Sequence, residues 1–567
     1  MPQDAFTLKH LCREFSSMFL GGKINRIIQP SSDEVILTIY NNKKTEKLMI
    51  SVNPSCPRMG ILEREVETPL TAPNFCMLLR KHLLSATIID FSLIGFDRIV
   101  KIELESSPEF SDSVIKTLYI ELMGRYSNVI LVENGKVLGG NRGINNFDNG
   151  VRPLIVGKEY LLPPVNNKKV PSDENLINIF DGVEKDKLAD VVLQNVQGLA
   201  NSTVNEIVSE YSDCNSLVSG DKFFCHLNNY IEQTEKRPCV IIEDGAVKDL
   251  LVCDYKLIKG ERRYFNYLYQ AEEFYFSSKE KHAKFTALKT RLVSVVNGYI
   301  KKSKKRLANI LAKEKDAENL EQNKINGELI LANIYKIKKG EKQVVIDNYY
   351  DNSKVTIVLD ENLSPQRNAE NYYKKYNKQK RALTHLIPQK EQAQNEYNYF
   401  ASLLDEINLA EDLADLIAIN SEMIEEGIIE EKTLRKSHKE KQRYYNEYLV
   451  DGCVIKAGRN NVENDRLTKS AKGDDLWLHA KDYHSSHVII EKNGKGITDK
   501  VIVIGAEICA YYSKGRNAGK VEIAYTEKKN VKKPPKSKLG FCTYENFKSI
   551  IVEANKHIEL IKSDEKG

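Results

Sequence analysis

Residues 285–320, FTALKTRLVSVVNGYIKKSKKRLANILAKEKDAENL, decide the organisation of the chain. Their apolar side chains recur at steps of three or four residues, or at sums of these steps, which is the spacing of one face of an α-helix. Lys, Glu, Asn and Gln fill most positions between them. The apolar positions are Phe285, Leu288, Leu292, Val296, Tyr299, Leu307, Ile310, Ala317 and Leu320. The stretch therefore predicts a long helical arm with one apolar stripe.

A second stretch repeats this pattern after a short strand-like tip at 344–350 and 354–359. Its apolar positions are Tyr372, Tyr376, Leu383, Leu386, Tyr397, Phe400, Leu404 and Ile407. The second arm can therefore run back along the first as an antiparallel coiled coil, which we place at 281–435 with its tip at about 340–364. Roughly fifty residues give an arm on the order of 75 Å long. From the residues alone, a spacer or a dimerisation rod is the simpler interpretation.

Length and composition set the outer bounds. With 567 residues the chain is too long for one core, so we expect three or more domains. The ten cysteines contain no Cys-x-x-Cys pair, which argues against a metal site or a disulfide framework, and we expect no cofactor. No apolar run reaches membrane-spanning length, and the start, MPQDAFTLKH, does not resemble a signal peptide. We therefore expect a cytoplasmic protein without membrane association.

The positive charge is concentrated in the last domain. Residues 441–567 carry 24 Lys and Arg against 17 Asp and Glu, a net +7, whereas the whole chain is +5. Within 501–540 there are nine basic residues and three acidic ones. Such an excess attracts a polyanion, although a solvated lysine-rich loop has the same composition.

Two charged motifs interrupt a β-rich region at 22–164. Asp97-Arg98 follows Gly95 at the mouth of an alternating strand, and Glu121 and Arg125 flank a glycine between two apolar strands. Each motif by itself is typical of an ordinary turn or a structural corner. The pattern then becomes helical, and 196–199, VQGL, weakly resembles a helix-hairpin-helix turn, in which backbone amides approach a phosphate. We predict an N-terminal domain at 1–171 and 216–280 that is interrupted by a helical insertion at 172–215.

The last region, 440–567, predicts an α/β domain. We expect strands at 448–455 and 477–480, a loop at 458–461 and a helix at 499–512. His479, His484 and His487, with Asp482, fit no standard metal-ligand spacing. Ser486 and the adjacent histidine would point to opposite faces of a strand, which argues against a hydrolase pair. Trp477 is more often a core residue, but an exposed tryptophan among basic residues could stack an RNA base.

Several separated stretches together resemble the NFACT family, and the resemblance covers nearly the whole chain. The last domain carries Gly458-Arg459-Asn460, Asn464-Asp465, Trp477-Leu478-His479 and Ser486-His487-Val488. Ser485 and Tyr126 depart from the residues common in the family. The matching stretches before the last domain are Gly21-Gly22-Lys23-Ile24, Asn74 to Leu83, Phe96-Asp97-Arg98, Glu121-Leu122-Met123-Gly124-Arg125, Leu363-Ser364-Pro365 and Asn368 to Tyr376.

The resemblance implies a multidomain α+β protein: a β-rich, glycosylase-like N-terminal domain with a helix-hairpin-helix insertion, a long antiparallel coiled coil with a small tip, and a C-terminal α/β RNA-binding domain. It implies a ribosome-associated quality control factor that recruits alanyl-tRNA and promotes template-free alanine tailing of stalled chains. The ribosome would make the peptide bonds, so the protein itself is not expected to be an enzyme. The implied partners are the large ribosomal subunit, ribosomal RNA, alanine tRNA and stalled peptidyl-tRNA, with a small RNA-binding cofactor of the heat-shock type and fibronectin as further candidates.

The resemblance also assigns the site residues. Asp97 and Arg98 match a dipeptide implicated in tRNA recognition, and Glu121 and Arg125 belong to a second matching motif. In the C-terminal domain the expected RNA-binding residues are Arg459, Asn460, Trp477, His479, His487, Lys514, Arg516, Lys532 and Lys533.

Two alternative functions remain open at this stage. The first domain also resembles formamidopyrimidine-type DNA glycosylases, which attack with an N-terminal proline followed by glutamate; here Pro2 is followed by Gln3, and a four-cysteine zinc finger is missing. The family's older association with fibronectin suggests a surface adhesin, against which the missing export signal counts.

Overall fold

The computed structural model divides the chain into two compact units, residues 1–282 and 283–567, here called the first and second unit. None of the helices in the described part of the chain is long and apolar enough to span a membrane. The structure describes residues 3–64, 66, 68–106, 113–142, 152, 154–164, 167–212, 216–232, 237–243, 245–316, 320–430, 445–492, 494, 496–535, 537–557 and 560.

A nine-stranded antiparallel sheet dominates the first unit, with strand order β4-β3-β2-β1-β5-β6-β7-β8-β9. Alternating apolar residues on its strands face α1, which buries Phe6, Leu11 and Phe15 against them. The elements are α1 (Ala5–Phe19), β1 (Lys23–Ser31), β2 (Glu34–Asn41), β3 (Lys44–Ser51), β4 (Arg58–Ile61), α2 (Asn74–Leu83), β5 (Thr87–Leu93), β6 (Ile99–Ser106), β7 (Val114–Glu121), β8 (Asn128–Glu133) and β9 (Lys136–Gly140).

Helices and a small sheet complete the first unit. The three-stranded sheet has the order β11-β10-β12. These elements are α3 (Asn175–Phe180), α4 (Leu188–Asn195), α5 (Asn201–Glu210), α6 (Gly220–Glu232), β10 (Cys239–Glu243), β11 (Ala246–Leu251) and β12 (Glu261–Tyr264).

Long helices with a two-stranded sheet between them form the first part of the second unit. As the residue number rises from 289 to 323 in the first arm, the number of the contacted residue in the second arm falls from 408 to 379. The contacts are Lys289 Nζ to the Asn408 carbonyl, Arg306 with Glu396, Glu314 with Lys390, and Asn323 with Gln379. The helices therefore run antiparallel. The elements are α7 (Leu268–Asp316), which begins in the first unit, α8 (Leu320–Ala332), β13 (Gln343–Asp347), β14 (Lys354–Val358), α9 (Pro365–Leu409) and α10 (Leu413–Glu425).

The apolar stripe anticipated from the sequence lies between these helices. Leu292 and Val296 of α7 are buried with Phe400, Leu403 and Ile407 of α9. Leu416, Ile419 and Met423 of α10 extend the same cluster. Ala317, which the spacing included, lies outside the described residues.

The second unit ends in a six-stranded antiparallel sheet with strand order β15-β16-β18-β17-β19-β22. Helix α12 packs on one face, where Leu478, Ile490, Ile508 and Val521 share a buried cluster. The elements are β15 (Asn446–Val450), β16 (Cys453–Ala457), α11 (Asn461–Ser470), β17 (Leu476–Ala480), β18 (Val488–Glu491), α12 (Asp499–Tyr511), β19 (Lys520–Glu527), β20 (Val531–Lys532), β21 (Thr543–Tyr544) and β22 (Lys548–Glu553).

The multidomain α+β class is thus confirmed, but two local predictions are wrong. Residues 448–455 form a hairpin rather than one strand, because Asp451 and Gly452 adopt positive φ angles of 48° and 81° and reverse the chain. The predicted loop at 458–461 instead leads directly into α11, whose first turn is capped by the Asn460 side chain.

Candidate nucleic-acid interface

The two charged motifs of the first unit meet at one end of a strand pair. Ile99, the first residue of β6, pairs with Glu121, the last residue of β7, and the Leu122 amide donates to the Arg98 carbonyl at 2.9 Å. Antiparallel pairing therefore brings Asp97-Arg98 beside the segment that leads to Arg125. We call Asp97, Arg98, Glu121 and Arg125 the strand-end cluster.

Asp97 holds the turn that presents Arg98. One of its carboxylate oxygens accepts the Arg98 backbone amide at 2.7 Å, and the other accepts Nε2 of Gln197 at 3.0 Å. Both Asp97 and Arg98 are half-buried. The α4–α5 turn packs so tightly on this loop that a Cβ on Gly198 would lie 2.2 Å from the Phe96 carbonyl oxygen. The residues predicted to form a helix-hairpin-helix turn therefore brace the Asp97 loop.

Glu121 is a buried structural carboxylate rather than an exposed contact. It is 3% exposed, and the Arg152 guanidinium donates a hydrogen bond to each of its two carboxylate oxygens, at 2.8 and 3.1 Å. The Tyr160 hydroxyl donates to it at 2.8 Å, and both burial and the carboxylate raise the pKa of Tyr160. A direct contact between Glu121 and RNA is incompatible with this arrangement, because every visible partner of the carboxylate lies inside the unit.

Arg125 has the opposite environment. Its side chain is exposed, and its guanidinium lies over the ring of Tyr126, 4.7 Å from the centroid. The supporting residues Gln197, Arg152 and Tyr160 were missed in the sequence, where they lie 31 to 100 positions from the groups they bind. No local sequence signal identifies such partners.

In the second unit, Arg459 and Asn460 serve the fold around α11. Arg459 pairs with Asp415 of α10 at 3.1 Å and with Glu463 at 2.9 Å. Asn460 is 1% exposed and accepts the Glu463 amide at 2.9 Å. The Asn460–Glu463 spacing is a helix-start pattern that the sequence analysis overlooked. Arg459 also lines a cavity of about 200 Å³ with Glu406, Glu411 and His484.

Trp477, His479 and His487 form a packed aromatic group within the domain. The Trp477 ring stacks on His479, with 5.5 Å between centroids, and meets His487 edge-on at 5.1 Å. Burial lowers the pKa of His479 to about 4 and that of His487 well below its ordinary value. Trp477 is 1% exposed, so the prediction that it stacks an RNA base is wrong for this conformation. Within the described residues, no three His, Cys, Asp or Glu side chains converge as a metal site.

The predicted basic residues divide into two groups. Lys514 pairs with Asp405 at 3.2 Å and Arg516 with Glu411 at 3.3 Å. Both cations therefore face the junction of α9 and α10 at residues 405–415, here called the α9–α10 corner. Lys533 pairs with Asp465, whereas the neighbouring Lys532 projects an exposed side chain from β20. Of these four, Lys532 is the one for which no carboxylate partner is found among the described residues.

Residues 4–442 match the NFACT N-terminal and middle domains, and residues 441–540 match the NFACT protein RNA binding domain. The chain belongs to the NFACT family. The strand-end cluster of this NFACT protein lies in the first match, and Arg459, Lys514 and Lys532 lie in the second.

Relatives of nearly equal length include proteins named Rqc2 homolog RqcH. The Bacillus subtilis protein is 31% identical over 99% of this chain and 100% of its own length, and the Streptococcus pneumoniae D39 protein is 30% identical over 97% and 98%. Among solved structures, the N-terminal part of the fibronectin/fibrinogen-binding protein from Streptococcus suis is 25% identical, with a TM-score of 0.43 over 48% of this chain and 98% of that one. The C-terminal part of the same protein is 30% identical, with a TM-score of 0.40 over 49% and 99%.

Proposed function

We propose that this NFACT protein is an RqcH-type ribosome-associated quality control factor. It binds large ribosomal subunits that carry stalled peptidyl-tRNA, recruits alanyl-tRNA and promotes template-free addition of alanine to the stalled chain. The observation that carries the proposal is the nearly full-length similarity to RqcH proteins, together with the convergence of two charged motifs at one strand end. The ribosome makes the peptide bonds, so the contribution of this protein is positioning.

The strand-end cluster supplies the tRNA contact in this proposal. Arg98 and Arg125 bind phosphate oxygens or a guanine edge, which the planar guanidinium can engage with two hydrogen bonds. Asp97 fixes the Arg98 loop through its bonds to the Arg98 amide and to Gln197. Glu121 supports the same corner from inside, through Arg152 and Tyr160.

The domain boundaries form part of the proposal. A glycosylase-like N-terminal domain spans 1–171 and 216–280, with a helix-hairpin-helix insertion at 172–215 that α4 and α5 support. A coiled coil spans 281–435, supported by the antiparallel contacts of α7, α8 and α9, and its tip at about 340–364 contacts a distant part of the ribosome. The RNA-binding domain spans 440–567. A small RNA-binding cofactor joins the complex.

Gradient fractionation of a lysate that contains the tagged chain tests the proposal. We expect sedimentation with large subunits at low salt, release by ribonuclease, and enrichment of alanine tRNA in the co-purified RNA. Asp97→Ala should retain subunit binding and lose the tRNA enrichment. A chain that stays at the top of the gradient, or that enriches no tRNA, contradicts the proposal.

A further inference from the structure

The first long helix of the second unit carries a dense positive charge. Residues 283–313 contain nine Lys and Arg and no acidic residue, whereas residues 501–540 contain nine basic residues and three acidic ones. Glu314 follows, but it is paired with Lys390 of α9 at 2.6 Å. The charge of this part of α7 is therefore not balanced within its own sequence.

Four of these cations line a groove between α7 and α9. The groove has a volume of about 390 Å³, and Gln389 of α9 also lines it. Arg306 pairs across it with Glu396 at 2.9 Å. The other three are exposed lysines for which no carboxylate partner is found in the described part of the chain. The four cations are Lys302, Lys305, Arg306 and Lys313.

A second row of polar and basic residues leads away from this groove along α9. Its members follow one another at steps of three or four residues, so they lie on one face of the helix, and Gln389 places that face at the groove. Residues 374–390 contain no acidic residue. Glu391 lies two residues from Gln389, about 200° around the helix. The row consists of Lys374, Lys378, Arg381, His385 and Gln389, all exposed.

The two rows succeed one another along the arm, because Glu314 of α7 pairs with Lys390 of α9. Together they extend on the order of 40 Å. Like charges three or four residues apart destabilise a helix, so this arrangement costs stability in the free protein. A polyanion would supply the missing opposite charge. We call the basic members of the two rows the cationic flank: Lys302, Lys305, Arg306, Lys313, Lys374, Lys378 and Arg381.

Double-stranded RNA fits the cationic flank better than a single strand or a protein does. A single strand gains affinity by stacking its bases on exposed rings, but residues 300–315 contain no aromatic side chain and Tyr376 is half-buried. A protein interface has a centre depleted of charge, which the flank lacks. A duplex, in contrast, keeps its bases inside and is bound through its shape and its phosphates.

We propose that the cationic flank binds the phosphate backbone of a ribosomal RNA duplex in the large subunit. The choice of ribosomal RNA rests on the proposed function, in which the strand-end cluster takes the tRNA and the arm extends over the subunit. The shaft of the arm then contributes a salt-dependent contact of its own, in addition to the contact of the tip.

Fluorescence anisotropy of the full chain with a labelled RNA duplex of about twenty base pairs tests the flank. The flank variant should bind the duplex roughly tenfold more weakly at low salt. The slope of log affinity against log salt should fall by about three, because three phosphate contacts are lost. Alanine favours a helix, so the arm should keep its fold. The flank variant combines Lys302→Ala, Lys305→Ala and Lys313→Ala.

A matched control variant removes the same charge from exposed sites of the first unit and should bind the duplex as the parent does. A second probe, one strand of the duplex left unpaired, should lose less affinity in the flank variant than the duplex loses. Parental duplex affinity in the flank variant overturns the proposal, and an equal loss for both probes contradicts the assignment of a duplex. The control variant combines Lys44→Ala, Lys136→Ala and Lys158→Ala.

Gradient sedimentation with large subunits distinguishes the source of the duplex. The flank variant should leave the subunits at a lower salt concentration than the parent, with unchanged enrichment of alanine tRNA. Loss of tRNA enrichment with normal subunit binding would overturn the assignment to ribosomal RNA. Loss of subunit binding with parental duplex affinity also overturns the proposal, because the flank would then contact a protein. If the duplex results hold but the parent never sediments with subunits, the flank still binds duplex RNA and the proposed function is wrong.

Discussion

The strand-end cluster and the C-terminal domain both contain predicted RNA-binding residues, but the fold places them in different surroundings. At the strand end, antiparallel pairing brings two motifs together and leaves Arg125 exposed. In the C-terminal domain, Arg459, Lys514 and Arg516 face carboxylates of the α9–α10 corner. A basic segment therefore does not by itself locate an RNA surface. The position of the opposing carboxylates decides which cations remain accessible.

Among these predictions, removal of the buried Glu121 carboxylate of the strand-end cluster should change the stability of the protein most. Glu121→Ala removes the buried partner of Arg152, whose guanidinium is only 12% exposed, so the free energy of unfolding of the first unit should fall by about 3 kcal/mol. Urea unfolding, with protease sensitivity of the first unit as the probe of unfolding, measures this free energy. Glu159→Ala removes an exposed carboxylate from the same unit and is the control. If Glu121→Ala kept normal stability and lost only tRNA binding, Glu121 would be a contact residue after all.

The C-terminal domain should respond to pH through its buried histidines. Burial lowers the pKa of His479 and of His484 from 6.5 to about 4, so the unfolded chain binds more protons in this range. The free energy of unfolding therefore has its full value above pH 6.5, where both histidines are neutral in the folded and unfolded chain. It decreases as the pH falls from 6.5 to about 4. Each histidine contributes on the order of 3 kcal/mol to the loss. Glu422 of α10 has the opposite pH dependence. Burial raises its pKa to about 8, so the folded chain retains a proton that the unfolded chain loses, and the free energy of unfolding decreases as the pH rises from 4.5 to 8.

Trp477 fluorescence during urea unfolding at pH 7 and at pH 4 follows this change. His479→Phe keeps an aromatic ring beside Trp477 and should reduce the acid sensitivity, whereas His385→Phe, on the exposed side of α9, should leave it unchanged. Equal acid sensitivity in the parent and in His479→Phe would show that His479 is protonated in the fold.

The smallest effects should separate Lys514 from Lys532. Lys514→Ala removes a partly exposed ion pair with Asp405, so it should cost less than about 1 kcal/mol of stability and change RNA affinity less than about twofold. Lys532→Ala should weaken RNA binding severalfold and lower the slope of log affinity against log salt by about one. Anisotropy titrations at several salt concentrations measure both. The reverse order would place the RNA surface at the α9–α10 corner.

Local spacing in the sequence predicted the long helices, because the apolar stripe through Leu292 and Val296 repeats over many turns. It also placed Asp97 and Arg98 at the mouth of a strand. It did not reveal that Glu121 is enclosed by Arg152 and Tyr160 or that Trp477 is covered by Tyr544, since these partners depend on the tertiary fold. The hairpin at Asp451-Gly452 had a sequence signal that was available and overlooked.

Alanine tailing in a reconstituted reaction with stalled large subunits tests the central claim most directly. Arg98→Ala should lower the rate of tail synthesis roughly tenfold or more while the variant still sediments with the subunits, because a paired guanidinium contact to tRNA is lost. Arg64→Ala, which removes another partly exposed arginine of the first unit, is the matched control and should tail at the parental rate. Parental tailing by Arg98→Ala would contradict the account.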